Sequence, residues 1–343
     1  MEWNGKKRLL TAIEGGATDR MPVISVCQYA TYELMEATGA FWPEAHRDAD
    51  KMARLSAGGA TVLGLDAVRV PYCQTVEAEA YGAAIKDGGQ KHIPSIDRPA
   101  FALGEEPKIP QDFLARGRIP AVIEAIRMLK AELGEKVAVM GSLVGPFSVA
   151  ASLVGIAPFL KASLKKPDSL LPYLEAATKT AIQYAKAMTE AGADILVIED
   201  MMASLDMISP RAYKKLAAPY EKQVIEAVGG TAPVILHICG KLDAVMTYIA
   251  ETGVSAISVE SAVDVPAALK KFHEAGIRTP ILGAVHPIHA LLEGTEEDVA
   301  AAVRKSSEDG VSVISPDCAV APATTIANIK AMAEAAKKIE NRG

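Results

Sequence analysis

His237-Ile238-Cys239-Gly240 directly follows the apolar run Pro233-Val234-Ile235-Leu236, and a single cysteine, Cys318, stands near the C-terminus. Side chains alternate along a strand, so a buried strand ending in His-x-Cys places both groups on one face. Cys318, at the end of another apolar run, would complete three soft ligands. Three is the ligand count of a catalytic zinc site, which keeps its fourth position open, whereas a structural site wants four ligands, usually as two close pairs. The chain therefore reads as a metal-using enzyme with His237, Cys239 and Cys318 as ligands. The plainer alternative is a satisfied core histidine beside buried thiols acting as small hydrophobes. Cys27 and Cys73 lie outside the pattern and fit that plainer role.

Strands and helices must alternate to place such residues. The first turn of the chain reads as a helix over Lys6–Glu14, followed by a strand over Pro22–Val26. A helical stretch at Asp48–Gly58, a strand at Ala67–Val70 and the polar turn Lys86-Asp87-Gly88-Gly89 fall within a less regular section, about 28–110. Beyond it the rhythm is plain: helix Ala121–Leu133 before strand Val137–Gly141, helix Ser169–Ala191 before Ile195–Ile198, and helix Pro210–Val228 before Val234–Ile238. Helix Leu242–Thr252 precedes Ala256–Val259, Val265–Ala275 precedes Ile281–Val285, and Glu296–Asp309 precedes Val311–Ser315; helix Thr324–Lys338 is last. The strands are continuous β-branched runs, as parallel strands buried on both faces must be. Uninterrupted repetition predicts an α/β fold, a (β/α)8 TIM barrel spanning 1–343 as a single domain. Residues 1–20 form an N-terminal helical extension to it, and the irregular section sits near the barrel mouth.

In such a barrel the C-terminal strand ends carry the chemistry. Those ends here hold Glu199-Asp200, His237 and Cys239, Glu260, His286, and Asp317-Cys318. Glu199, Asp200 and Asp317 are candidates to position or protonate a substrate. Glu260, His286, Met201 and Met202 are candidates to line its pocket. The competing readings are loop solvation or helix capping for Glu199-Asp200, a surface loop for His286, and ordinary core for the methionines.

The composition excludes several classes. Of 343 residues half are hydrophobic and 5% aromatic, and the formal charge is −6. A mildly acidic chain is a poor partner for nucleic acid. No apolar run is long enough to span a bilayer, and no signal core follows the basic N-terminus, so no membrane role is expected. Four scattered cysteines make no disulfide framework, which points to the cytoplasm. There is no Gly-x-Gly-x-x-Gly turn after a strand and no phosphate loop.

Ile235-Leu236-His237-Ile238-Cys239-Gly240 together with Ser315-Pro316-Asp317-Cys318-Ala319 resembles the corrinoid-dependent methyltransferases of the uroporphyrinogen decarboxylase superfamily, and within them the methylcobalamin:coenzyme M methyltransferases. Arg20-Met21-Pro22-Val23, Gly39-Ala40-Phe41-Trp42-Pro43-Glu44-Ala45-His46, Ala67-Val68-Arg69-Val70-Pro71-Tyr72, Gly145-Pro146-Phe147 and Pro322-Ala323-Thr324-Thr325-Ile326-Ala327-Asn328-Ile329-Lys330 extend it over the whole chain. The resemblance implies a TIM barrel with zinc on His237, Cys239 and Cys318. It implies methylcobalamin, carried by a small corrinoid-binding protein, as methyl donor, and cob(I)alamin as leaving group. Barrels of this kind often form homodimers.

Two departures bear on the acceptor. Cys318 is flanked by Asp317 and Ala319 where the coenzyme M group has glycines, and Glu199 adds a carboxylate beside Asp200. Carboxylates repel a sulfonate and accept hydrogen bonds from a pterin, so the expectation leans to tetrahydrofolate, with coenzyme M or another thiol as the alternative. Uroporphyrinogen decarboxylation is the third reading, disfavoured because residues 21–30 contain no arginine to hold a porphyrinogen's carboxylates.

Overall fold

The computed structural model describes residues 2–340. Nine strands are present among them: β1 (Ala67–Val70), β2 (Ala84–Lys86), β3 (Ser95–Arg98), β4 (Ala138–Val144), β5 (Ile195–Glu199), β6 (Val234–His237), β7 (Ala256–Ser258), β8 (Ile281–Val285) and β9 (Val313–Pro316). Seven form one parallel sheet in the order β1-β4-β5-β6-β7-β8-β9, and β2 and β3 make a separate antiparallel pair.

The segment read as a first strand, Pro22–Val26, closes the sheet. Val23 forms a parallel bridge with Ile314 of β9. Ile24 N donates to Ile314 O at 2.9 Å, and Asp66 N, just before β1, donates to Val23 O at 2.8 Å. The segment thus stands between the two edge strands, as an eighth stave would. Its pairing is too short to make a regular strand of the predicted length.

Alternation along the strands sorts the side chains into two layers. Ile24, Val26, Ala67, Ala138, Met140, Ile195, Val197, Ile235, Ala256, Leu282 and Val313 form one apolar cluster inside the ring. Leu9, Ala12 and Ile13 of the helix Gly5–Ile13 plug it from below. The intervening residues face the outer helices and join the larger core. Continuing the inward-facing positions toward the C-terminal strand ends gives Arg69, Ser142, Glu199, His237, Ser258 and Ser315, all buried. The barrel interior therefore changes from apolar to polar at one level.

Several helices differ from expectation. The stretch Pro210–Val228 is two helices, Pro210–Leu216 and Ala218–Val228. Pro219 explains the break, since proline lacks the N–H that would continue a helix. Only Met246–Ala250 of the stretch 242–252 is helical. Pro146 and Phe147 begin a helix, Pro146–Val154, that was not foreseen. Helices Tyr32–Thr38 and Val76–Tyr81 were not foreseen. No single helix among the described residues is long and apolar enough to cross a membrane.

Asp66 pins the closing segment. Its carboxylate accepts from Arg8 Nη1 at 2.8 Å, from Arg20 Nη1 and Nη2 at 2.9 Å each, and from Val23 N at 3.0 Å. Removing a buried carboxylate strands its cationic partners. Asp66→Ala is expected to lower unfolding free energy by about 3–5 kcal/mol, measured by urea denaturation; a loss within experimental error would show that the clamp is dispensable.

Candidate functional site

Register aligns the polar layer. Val144 pairs with Glu199, Glu199 with His237, and His237 with Ser258, across β4 to β7. Past β6 the chain turns at Gly240, whose φ of +75° suits glycine. A Cβ there would lie 2.0 Å from Asp206 Oδ2, so that carboxylate would have to move aside. The turn leaves Cys239 on the same face as His237, as the i, i+2 spacing requires.

The three expected ligands meet. Cys239 Sγ lies 3.4 Å from His237 Nε2 and 3.6 Å from Cys318 Sγ. Tetrahedral zinc, with bonds of about 2.3 Å to sulfur and about 2.0 Å to nitrogen, would separate two sulfurs by roughly 3.8 Å and a sulfur from a nitrogen by roughly 3.5 Å. The donor set and its spacing fit zinc. His237 Nδ1 is 3.0 Å from Ser258 Oγ, which leaves Nε2 for the thiol side when Nδ1 carries the proton.

The thiols share charge unequally. Hydrogen bonds from Cys239 and Cys27 pull the Cys318 thiol far down, while the bond to Cys318 holds Cys239 and Cys27 well up. Burial pushes the His237 imidazole down, yet its bond to Cys318 and that residue's charge hold it up on balance. A cation bound among these thiols would displace the protons they hold.

The remaining expected residues separate into distinct settings. Glu199 faces inward and is fully bonded: Arg69 Nη2 donates at 2.6 Å, Gln74 Nε2 at 2.6 Å and Ser142 Oγ at 2.5 Å. Asp200 points the other way, to the start of helix Pro146–Val154, where Phe147 N donates at 3.2 Å, Ser148 N at 2.7 Å and Ser148 Oγ at 2.6 Å. This carboxylate caps the helix from outside it, and a Cβ on Gly145 would collide with it at 2.4 Å. Asp317, buried, accepts from Ser261 N at 3.0 Å. Glu260 is half-buried and forms a group with Cys239 and Cys318 whose ligand atoms all lie within 4.8 Å. Burial and then the Cys318 charge push its carboxyl up. His286 caps the turn Pro287–Leu292 through Nδ1, accepting from Ile288 N and His289 N at 3.2 Å each. Met201 and Met202 are half-buried just beyond β5.

Sequence reasoning missed Cys27, which joins His237 and Cys318 in a second such group, and the ring of groups around Glu199. Arg69, Ser142 and Ser258 did carry a signal: each is a polar residue at an inward-facing position of an otherwise apolar strand. Arg69 also leaves Nε and Nη1 buried without a hydrogen-bond partner. Arg69 lines a cavity of about 40 Å³ together with Gln28, Gln74, Glu199 and Ala319, so the cavity adjoins the residues following Cys27 and Cys318.

Behind Asp200 lies a second buried carboxyl, Glu221, which accepts from Tyr213 Oη at 2.6 Å. Its Oε1 is buried with no hydrogen-bond partner, so this carboxyl sits unsatisfied close to Asp200. Burial raises Asp200 to about 6, against the pull of Ser148, and burial followed by the Asp200 charge pushes Glu221 well up. Carboxyls raised in the folded state bind protons that the unfolded chain has released. The stabilising contribution of Asp200 is complete below its unfolded value near 4 and is lost as pH rises through about 6. Glu221→Gln keeps the shape and offers Asp200 a permanent donor. The melting temperature of this variant is expected to exceed wild type above pH 7, with the stability difference changing by about 1.4 kcal/mol per pH unit between about pH 4 and 6. Parallel curves for the two proteins would show that Glu221 and Asp200 do not act on one another.

Comparison with known proteins is consistent in direction. The family described as uroporphyrinogen decarboxylase (URO-D) matches residues 4–339. A methylcobamide:CoM methyltransferase of Methanosarcina barkeri is 37% identical over 335 residues, covering 97% of this chain and 98% of the relative. A second protein so described, from Methanosarcina acetivorans, is 39% identical over 342 residues, covering 98% of each. A solved methyltransferase structure from Methanosarcina mazei superimposes with a TM-score of 0.92 at 36% identity, covering 98% of this chain and 99% of that one.

Proposed function

The chain belongs to the uroporphyrinogen decarboxylase family, and from that premise we propose that it is a zinc-dependent methyltransferase moving a methyl group from a methylated corrinoid to the sulfur of a small thiol. The observation that carries this reading is the meeting of His237 Nε2, Cys239 Sγ and Cys318 Sγ at zinc-ligand spacing beyond the strand ends. The descriptions of the Methanosarcina relatives support the donor and the thiol acceptor. A small corrinoid-carrying protein would present the methyl group at the same end of the barrel.

A zinc ion bound here would supply a Lewis acid that keeps an incoming thiol deprotonated at neutral pH. The rest falls to the chain. Ser258 orients the His237 ring through Nδ1. Asp200 N donates to His237 O at 2.9 Å, fixing the end of β6 against the capped helix. Glu260 stands beside both thiols, its carboxyl held up by burial, and is placed to receive the acceptor's proton. Asp317 holds the neighbouring Ser261 N and so fixes the Glu260 loop. Arg69, Glu199 and Ser142 close the floor of the site as a neutral, water-excluding layer. The unused Nε and Nη1 of Arg69 suit an acidic tail on a short thiol. Met201, Met202 and His286 complete the rim.

Tetrahydrofolate, the acceptor favoured by the carboxylates, loses its argument here. Glu199, the carboxylate on which that reading leaned, is already bonded to Arg69, Gln74 and Ser142. The thiol alternative fits better. Porphyrinogen decarboxylation fits worse, because Arg20 is already bound to Asp66 and to Met21 O.

The test follows methylcobalamin demethylation anaerobically by its visible spectrum with 2-mercaptoethanesulfonate, 2-mercaptoethanol or tetrahydrofolate as acceptor. Transfer to the thiols, the acidic one faster, and none to tetrahydrofolate is expected. His237→Ala and Cys239→Ala are expected to lose stoichiometric zinc by atomic emission and to slow transfer by more than about 100-fold. Transfer to tetrahydrofolate alone, or full zinc content in both variants, would overturn the proposal.

A further inference from the structure

The chain carries a formal charge of −6, yet one flank of the barrel collects cations. Lys161, Lys165 and Lys166 stand exposed on and just after the helix Ile156–Lys165, and Arg211, Lys214 and Lys215 stand exposed on the helix Pro210–Leu216. Lys215 pairs with Asp168 at 2.8 Å, and Lys214 Nζ sits 3.5 Å from the centre of the Tyr248 ring. The other four have no acidic partner among the described residues. Large apolar side chains stand exposed on the same segments: Leu164, at 74%, with Ile156, and Met207 just before the second helix. Leu164 lies in a groove of about 270 Å³ whose other wall includes Ser209, Arg211 and Lys215. The first helix also borders a groove of about 550 Å³, lined by Leu103, Pro158, Lys161, Lys165 and Lys166.

This flank adjoins the strand-end cluster. Helix Leu171–Glu190 leads down to the start of β5, so the residues just before it sit at the end of the barrel where the strands finish. Helix Pro146–Val154, which passes through Gly155 into the helix Ile156–Lys165, starts at the Asp200 carboxylate. The loop from β5 to the second helix passes Asp206, whose Oδ2 accepts from Lys241 N at 3.3 Å, two residues beyond Cys239.

Three kinds of occupant suit a grooved, basic face, and two of them fit poorly. A second copy of the chain would set lysine against lysine. An anionic bilayer needs an apolar stripe to enter it, but the apolar side of the first helix is turned inward, where Phe159 packs edge-on against Phe147 with ring centroids 4.9 Å apart. An acidic protein surface meets the charges and seats side chains in the grooves. The acceptor is small and needs no such face. A protein that brings the methyl group must bind, deliver and leave in every turnover, which favours steering by charge over a large dry interface.

We propose that this flank is the docking surface for the corrinoid-carrying protein, which presents an acidic face to Lys161, Lys165, Lys166 and Arg211. The proposal rests on the methyl-transfer reading above and adds the place and the charge of the contact.

The test compares Lys161→Glu/Lys165→Glu with Arg304→Glu/Lys330→Glu, an equal reversal at exposed cations of the last two helices. Two methyl donors are supplied: free methylcobalamin, and the corrinoid protein of the same cells, purified by its cobamide absorbance and methylated. The acceptor is 2-mercaptoethanesulfonate, with the carrier subsaturating at low ionic strength. The first variant is expected to lose about 10-fold in rate from the carrier and to keep the wild-type rate from free methylcobalamin, while the control keeps both. Added salt is expected to slow the wild type with the carrier. No loss in the first variant, or an equal loss in the control, would overturn the docking surface and leave the methyltransferase intact. A wild type inactive with both donors would overturn the methyltransferase reading and the surface with it. Pelleting of wild type, but not of Lys161→Glu/Lys165→Glu, with phosphatidylglycerol vesicles would assign the face to a membrane and overturn the proposal. Should the first variant fold poorly and lose both activities, the wild-type salt dependence decides alone, and a salt-independent rate with the carrier would overturn the proposal.

Discussion

A closed ring of parallel strands faces every second side chain into one confined space, and the rest of the molecule depends on that constraint. At the lower level the inward positions are Ala67, Ala138, Met140, Ile195, Val197, Ile235, Ala256, Leu282 and Val313, which fill the ring as a packed core. At the next level up the same rule delivers Arg69, Ser142, Glu199, His237, Ser258 and Ser315. Polar groups so placed cannot reach bulk water and must satisfy one another. The cluster of His237, Cys239 and Cys318 tops this layer, and Ser258 within the layer orients the histidine.

Burial makes that layer demanding. Arg69 and Glu199 are 2% and 3% exposed, so breaking their pair would leave an uncompensated charge in the barrel. Ser142 and Gln74 complete the shell of Glu199 and make the pair tolerable. Asp200, the next residue, points to the opposite face and finds a helix N-terminus, with the buried Glu221 behind it. Two adjacent carboxylates at one strand end thus do different work. One neutralises the floor of the site, and the other locks the helix layer to the end of β6.

Much of this was legible in the chain. The strand Ile281–Val285 and the strand Ala67–Val70 have the bounds that their apolar runs predict. His237, Cys239 and Cys318 converge as their spacing and their strand-end positions require. What the sequence concealed was long-range closure. Cys27 joins the cluster only because the segment 22–28 is laced to β9 and the loop after it, a contact that no local spacing reveals. Glu199-Asp200 reads as a carboxylate pair because the residues are adjacent, but alternation separates them onto two faces. Pro219 carried a usable signal, since it could not sit inside the single helix read over 210–228. The tetrahydrofolate expectation loses its support for a similar reason: Glu199, read as a free carboxylate at the pocket, is held by Arg69, Gln74 and Ser142.

The central claim is that the cluster acts by holding a metal against a thiol. Chelator-stripped protein, assayed anaerobically for methyl transfer from methylcobalamin to 2-mercaptoethanesulfonate, tests it most directly. The account predicts negligible transfer without metal and full recovery on adding one equivalent of zinc, with no recovery on adding magnesium. Transfer by the stripped protein at the rate of the zinc-loaded one would contradict it.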